Sequence, residues 1–447
     1  MDSGSLLERK NAELRKEVER LKRSQHRSAT PFSKERPVKN PRKPGRKKGQ
    51  GPFRRREAPA QNPTVTVDAE APPNCPFCGG PLEHEGEETA TTTDVPQQPQ
   101  PEVTLYRVAV CRCTQCGRKV RGTAPGLAAD QFGATAHRAS PGVMAKAHAL
   151  HYGVGIPVRK VPGVLRELTG VTITQSALTQ DGLRRAKGEV GAEYRKLREA
   201  VKEAPSVHTE DTGWKVAGKP AFLMGFDTGR ETVYQIRPQH RNEEVREIIA
   251  GDYAGVMITD RGKSYDAEEF KGVDQQKCLA HVLRNIAEVV ETKQGRAREF
   301  GVKAQILFRD GIELWRVRDS LTADEFAEQA GQIKELVRDH LRNRTLTDAD
   351  NQRLLEGLGW HDDRGSLMRF LEAPFVEPTN NNAERILRPA VIARKVSHCS
   401  KTQEGAEAFA AFKSIAQTAV KNGAASVASA FHAIFTAPTA RSTEQSP

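Results

Sequence analysis

This chain has no long apolar run. Nothing in its 447 residues approaches the roughly 18 consecutive apolar side chains that a membrane span needs, so no transmembrane segment is expected. The N-terminus is charged from Asp2 onward and lacks the apolar core of a signal peptide, which argues against secretion and for a cytoplasmic protein. Cysteine is scarce. Seven in a chain of this length fit a reducing compartment with a metal site and argue against a disulfide scaffold. Acidic excess is missing too, the formal net charge being +12. All of it lies in residues 1–60, where nineteen Lys and Arg stand against seven Asp and Glu, and the other 387 residues are neutral overall. Charge so polarised reads as a DNA-directed arm on ordinary globular domains. The length leaves room for two to four of them.

Residues 5–27 form the first expected element, an amphipathic helix. Leu7, Leu14 and Leu21 recur every seven residues, with Asn11 and Val18 at the complementary heptad position. That is a coiled-coil seam, and a buried Asn in it favours a parallel, in-register dimer. A solvated charged helix is the plainer reading, because three heptads are marginal alone. Residues 28–70 follow as a basic linker, broken by Pro and Gly and without apolar period. Eleven Lys and Arg between Lys34 and Arg56, among them Arg42, Lys43, Arg46, Lys47 and Lys48, suit salt-sensitive phosphate contact without base reading.

Residues 71–125 carry two C-x-x-C knuckles, Cys75/Cys78 and Cys113/Cys116, each followed by Gly. Four thiolates so spaced are how a zinc ribbon binds one structural Zn²⁺, with no open position for catalysis. The 34-residue spacer is long for a ribbon and implies an inserted loop, and Cys111 is left spare. Residues 130–203 read as helices, and PVRKVPGVLRELTGVTITQSALTQDGLRRAK has a helix-turn-helix pattern that serves DNA reading or plain packing equally well.

From 205 the period changes. SVHTEDTGWKV, KPAFLMGFDT and ETVYQIRPQ alternate like three strands of an antiparallel meander. A helix (NEEVREIIAGDY), a buried strand ending at Asp260 (GVMITD) and an edge strand (VDQQKCLA) complete residues 205–280. Residues 281–375 are helical by pattern and read as an all-α insertion, 376–437 as the second part of the core, and 438–447 as a polar tail. Cys278 and His281 open the insertion without a second metal pair nearby, which favours a structural or DNA-facing role. Three acids stand out at the ends of elements: Asp211 in EDTGW, Asp260 in ITDRGKSYD and Glu384 in NNNAERILRP. Each alone is most simply a cap or a solvated charge. Together they are the hard oxygen ligands that hold two divalent cations for phosphodiester chemistry.

VHTEDTGW, ITDRGKSYD, QKCLAH and EPTNNNAERILRPAVIARK, in this order, resemble the transposases of the insertion sequence 66 family, which are DDE-type. The resemblance implies a multidomain α+β protein: an RNase H-like α/β catalytic domain with an all-α insertion, preceded by coiled coil, zinc ribbon and helical DNA-binding region. It implies a bacterial DNA transposase using two Mg²⁺ or Mn²⁺ at Asp211, Asp260 and Glu384. Its partners would be element ends, target DNA, a second copy or higher oligomer, and accessory proteins. The family reads Asp-Glu-Thr-Gly-Trp where this chain has Glu210-Asp211-Thr212-Gly213-Trp214, so alignment puts the first ligand at Glu210. Asp211 is nonetheless the expected ligand, because its shorter carboxylate suits bridging. An impaired DNA-binding protein is the first alternative, and a nuclease that cuts without joining is the second. Asn380, Asn381 and Asn382 are expected to cap the last catalytic helix. Arg385, Arg388, Arg394 and Lys395 would then lie beside the metals to contact phosphates.

Overall fold

The computed structural model describes residues 101–437 apart from 129–130, 134–135 and 343, together with 67, 72–74 and 76–83. The coiled-coil helix of 5–27, the basic residues Lys34 to Arg56, Cys75 and the tail of 438–447 lie outside the described residues. The chain divides into two units, Met1–Val95 and Pro96–Pro447. In the first, the described residues include a turn that exposes Phe77 and Cys78.

The second unit opens with a hairpin of β1 (Val110–Arg112) and β2 (Lys119–Arg121), with Cys111 opposite Val120. Helices follow: α1 (Pro141–His148), a π-helical turn (Ala149–Val154), α2 (Val161–Thr169), α3 (Gln175–Lys187) and α4 (Glu189–Lys202). Hydroxyl caps start two of them, Ser140 accepting from the Val143 amide at 3.3 Å and Thr174 from the Ala177 amide at 3.1 Å. Gly170, at φ 69°, ends α2 in the left-handed conformation that a residue with Cβ resists. Met144, Ala147, Val161, Leu165 and Leu178 bind α1, α2 and α3 into one apolar cluster.

The meander forms as its alternation predicts. β3 (Ser206–Val216), β4 (Lys219–Asp227) and β5 (Thr232–Arg237) pair antiparallel. Ala217 (φ 50°) and Gly218 (φ 79°) make the two-residue turn between β3 and β4, both left-handed as a type I′ turn requires. After the short α5 (Asn242–Arg246) come β6 (Val256–Thr259) and β7 (Gln275–Lys277), both parallel to β3. The strand order is β5-β4-β3-β6-β7. β7 is an edge strand, as expected, but a covered one. Its Lys277 amide donates to the Ser366 carbonyl at 2.7 Å, and the Gln276 side chain exchanges bonds with Leu367 and Phe370. Those partners end a helical segment built of α6 (Leu279–Glu291), α7 (Gly295–Val317), α8 (Ala323–Leu341) and α9 (Ala349–Asp363). Covering an edge removes its open hydrogen-bonding row from solvent.

Three more helices close the chain: α10 (Asn381–Ser397), α11 (Gln403–Lys421) and α12 (Val427–Thr436). The sheet is coated on both faces. Val207, Met224, Phe226, Val233 and Met257 pack with Val201 of α4 and with Ile248, Tyr265 and Phe270. On the other face Trp214, Leu223, Tyr234 and Ile236 pack against Ile386, Leu387 and Ala390 of α10 and Phe409 of α11. The α6–α9 segment shares its core with Val256 and Ile258 of β6. Side chains alternate along a strand, so each residue of β3 is assigned to one of these layers by its parity.

Candidate active site

Parity decides the first acid. On β3, Val207 belongs to the α4 layer and Trp214 to the α10 layer, so odd positions face one side and even positions the other. Glu210 therefore faces α10, and Asp211 faces away from it. The partners agree. The Asn380 amide, at the start of α10, donates to Glu210 Oε2 at 3.2 Å. Asp211 Oδ1 lies 2.9 Å from His240 Nδ1, and the His240 ring packs on Tyr265 with centroids 5.5 Å apart. The pleat puts Asp211, the expected ligand, on the face of β3 opposite Glu210, and no bulge interrupts the strand there: Glu210 pairs with Gly225 and Asp211 with Met224 in unbroken register.

Register brings the second acid alongside. Val207 pairs with Met257 and His208 with Ile258, so two residues further Glu210 and Asp260 leave neighbouring parallel strands at the same level. Strands lie about 4.8 Å apart. Asp260 Oδ1 accepts from the Gly262 amide at 2.8 Å, which fixes the turn that follows β6. The third acid comes from α10. Glu384 sits in its first turn with a side chain 46% exposed, and its Oε1 lies 3.8 Å from His281 Nε2 of α6. Gly225 lets α10 in. A Cβ there would stand 2.9 Å from Ile386 Cδ1 and 3.1 Å from Leu387 Cδ2.

Electrostatics record the convergence. Burial, then the carboxylates of Asp260, Asp211 and Glu384, push the Glu210 carboxyl up to about 8, against a partial opposing effect of the Asn380 bond. Among the described residues, no group of three or more His, Cys, Asp or Glu side chains is gathered tightly enough to hold a metal ion. What links the acids here is that Asp260, Asp211 and Glu384 all act electrostatically on Glu210.

Asn380 does not cap α10 with its side chain. It is fully buried, and its amide nitrogen reaches β3 instead, donating to the Thr209 carbonyl at 2.8 Å as well as to Glu210. Asn382 turns to Glu377 at 2.8 Å and accepts from Arg385 at 3.1 Å. The four cations of this helix divide. Arg385 and Arg388 are exposed, whereas Lys395 is half-buried. Arg394 donates to Thr212 Oγ1 at 3.2 Å and to the Gly213 carbonyl, which braces α10 on β3. Its guanidinium is therefore engaged by the protein itself.

Earlier in the chain, Cys113 and Cys116 sit at the tip of the β1–β2 hairpin. The Cys116 amide lies 3.5 Å from Cys113 Sγ, and this backbone hydrogen bond is the main cause lowering the Cys113 thiol below its usual range. An amide donating to sulfur is how a knuckle prepares a thiolate. Cys78 is exposed, Cys75 lies outside the described residues, and the four-thiolate set expected for zinc rests on the sequence. Arg42, Lys43, Arg46, Lys47 and Lys48 likewise lie outside the described residues.

With this arrangement in view, the profile of the family described as Transposase IS66 family matches residues 136–408. The chain belongs to the IS66 family of transposases. The match takes in Glu210, Asp211, Asp260 and Glu384 and excludes the cysteine knuckles and the basic arm. A comparison with curated proteins finds no match. No helix among the described residues of this IS66-family chain is long and apolar enough to cross a membrane.

Proposed function

We propose that this chain is a DDE-type DNA transposase that cuts element ends and joins them to a target, with Glu210, Asp260 and Glu384 as its acidic set. What supports the reading is that the β3–β6 register sets Glu210 level with Asp260, and that Asp260, Asp211 and Glu384 are the carboxylates that, after burial, raise the Glu210 carboxyl to about 8. The donor chemistry fits divalent cations, since carboxylate oxygens are the ligands that Mg²⁺ and Mn²⁺ select. Such ions, when bound, supply charge neutralisation at the phosphoryl group and a nucleophile at neutral pH.

The chain's own residues supply position. Asn380 holds Glu210 toward α10, the Gly262 amide holds Asp260, and Arg394 keeps α10 seated on β3. Arg385, next to Glu384, and Arg388, one turn beyond it, are exposed and suited to phosphates on either side of the scissile bond. The strand order β5-β4-β3-β6-β7, with three antiparallel strands followed by two parallel ones, supports the RNase H-like fold that the resemblance implies. Outside this domain, the same reading gives the basic arm to phosphate contact, the knuckles to one structural Zn²⁺, and the 5–27 helix to dimerisation.

Supercoiled plasmid carrying the flanking DNA of this locus, incubated with the protein and Mg²⁺ or Mn²⁺, tests the proposal. Wild type should cut at the element ends, Glu210→Gln and Asp260→Asn should not, and Asp211→Asn should. Cut ends that never join to target would favour the nuclease. Binding without cutting by wild type would favour a DNA-binding protein that has lost catalysis.

A further inference from the structure

Asn380 touches β3 directly and reaches β6 through one intermediary, Cys278. From its position before α10, its Nδ2 donates to Glu210 Oε2 and to the Thr209 carbonyl of β3. Its Oδ1 lies 3.3 Å from His208 Nδ1, also on β3. A ring nitrogen facing an amide oxygen must carry the proton, and that contact fixes which end of the amide points at Glu210. Its backbone amide donates to Cys278 Sγ at 3.1 Å. Cys278 in turn donates its own amide to the Thr259 carbonyl at 2.8 Å, one residue before Asp260. Cys278 and Asn380 are both wholly buried.

We infer that Asn380 is the positioning residue of the acidic site, tying the Glu210 carboxylate to the start of the Glu384 helix and, through Cys278, to the end of the Asp260 strand. The inference rests on the proposed metal-binding role of those acids. A buried amide that donates to one carboxylate oxygen turns the other toward the cations and lowers the energy of the ionised form, as outer-shell partners of metal ligands do. It also accounts for Cys278. That thiol is a hydrogen-bond acceptor within the joint.

Full-length wild type, Asn380→Ala, Asn380→Leu, Glu210→Gln and the double variant Glu210→Gln/Asn380→Ala would be titrated with Mn²⁺ by electron paramagnetic resonance, with circular dichroism to score folding. Both Asn380 variants should fold and lose Mn²⁺ affinity by about 10- to 100-fold, the usual range for an outer-shell partner. In the Glu210→Gln background, Asn380→Ala should lower affinity no further, because the carboxylate it positions is already gone. Wild-type Mn²⁺ affinity in a folded Asn380 variant overturns the inference, as does a loss that adds in full to that of Glu210→Gln. Failure of both variants to fold would make Asn380 a structural joint only and overturns it as well. Wild type that binds no Mn²⁺ removes the metal-site reading itself, and this inference with it.

Discussion

Glu210→Gln changes one oxygen to nitrogen and removes an ionisation that the fold opposes. The carboxyl sits at about 8 in the folded chain against 4.5 ordinarily, chiefly through burial and then through Asp260, Asp211 and Glu384. A carboxyl raised on folding favours the folded state least at high pH. Its contribution is intact below about 4.5 and is lost as pH rises toward 8. At about 1.4 kcal/mol per pH unit, the metal-free protein forgoes up to about 3 kcal/mol at pH 7. Gln carries no such penalty and still offers an oxygen to the Asn380 amide. Metal-free Glu210→Gln should therefore be more stable than wild type at pH 7–8, by roughly 5 °C in the midpoint of the catalytic domain. The difference should vanish near pH 4.5. Mg²⁺ should reverse the order at pH 8, stabilising wild type by mass action and the variant little. Thermal unfolding from pH 4.5 to 8, with chelator or Mg²⁺, measures all three effects. Equal stability of the two proteins at pH 8 without metal, or equal stabilisation by Mg²⁺, would refute the reasoning.

Gly225 gives a steric test of the same site. Ala would press on the movable ends of Ile386 and Leu387 and cost about 1 kcal/mol, whereas Val would displace α10 with Glu384, cost about 2–3 kcal/mol and abolish plasmid cleavage. Asp211→Asn keeps its place against His240 and should retain cleavage within a few-fold, checked in the plasmid assay. Arg388→Ala should weaken binding to every duplex alike and flatten its salt dependence by about one unit of slope, measured by titration at several salt concentrations. Arg394→Ala should instead cost about 1–2 kcal/mol of stability for its lost bonds to β3, read as a lower unfolding midpoint.

Local pattern carried much of this architecture. Alternation and turn residues are short-range properties, and they delimited β3, β4 and β5 and the strand ending at Asp260, because a pleated strand and a type I′ turn are built from neighbours. Heptads, charge runs and C-x-x-C spacing are equally local signals. Parity was also present in the chain: Trp214 is apolar, and Glu210 lies four residues away on its face. The same parity puts Asp211 on the opposite face of the strand. What no local pattern contains is which strand and helix meet β3. Setting Glu210 level with Asp260 depends on the pairing of β3 with β6, elements about fifty residues apart. Turning Asn380 from helix cap to cross-link depends on α10, about 170 residues beyond Glu210. The covering of β7 by Ser366–Phe370 is of the same kind. These contacts are chosen by burial and by the need to satisfy buried polar groups, and both are properties of the packed chain as a whole.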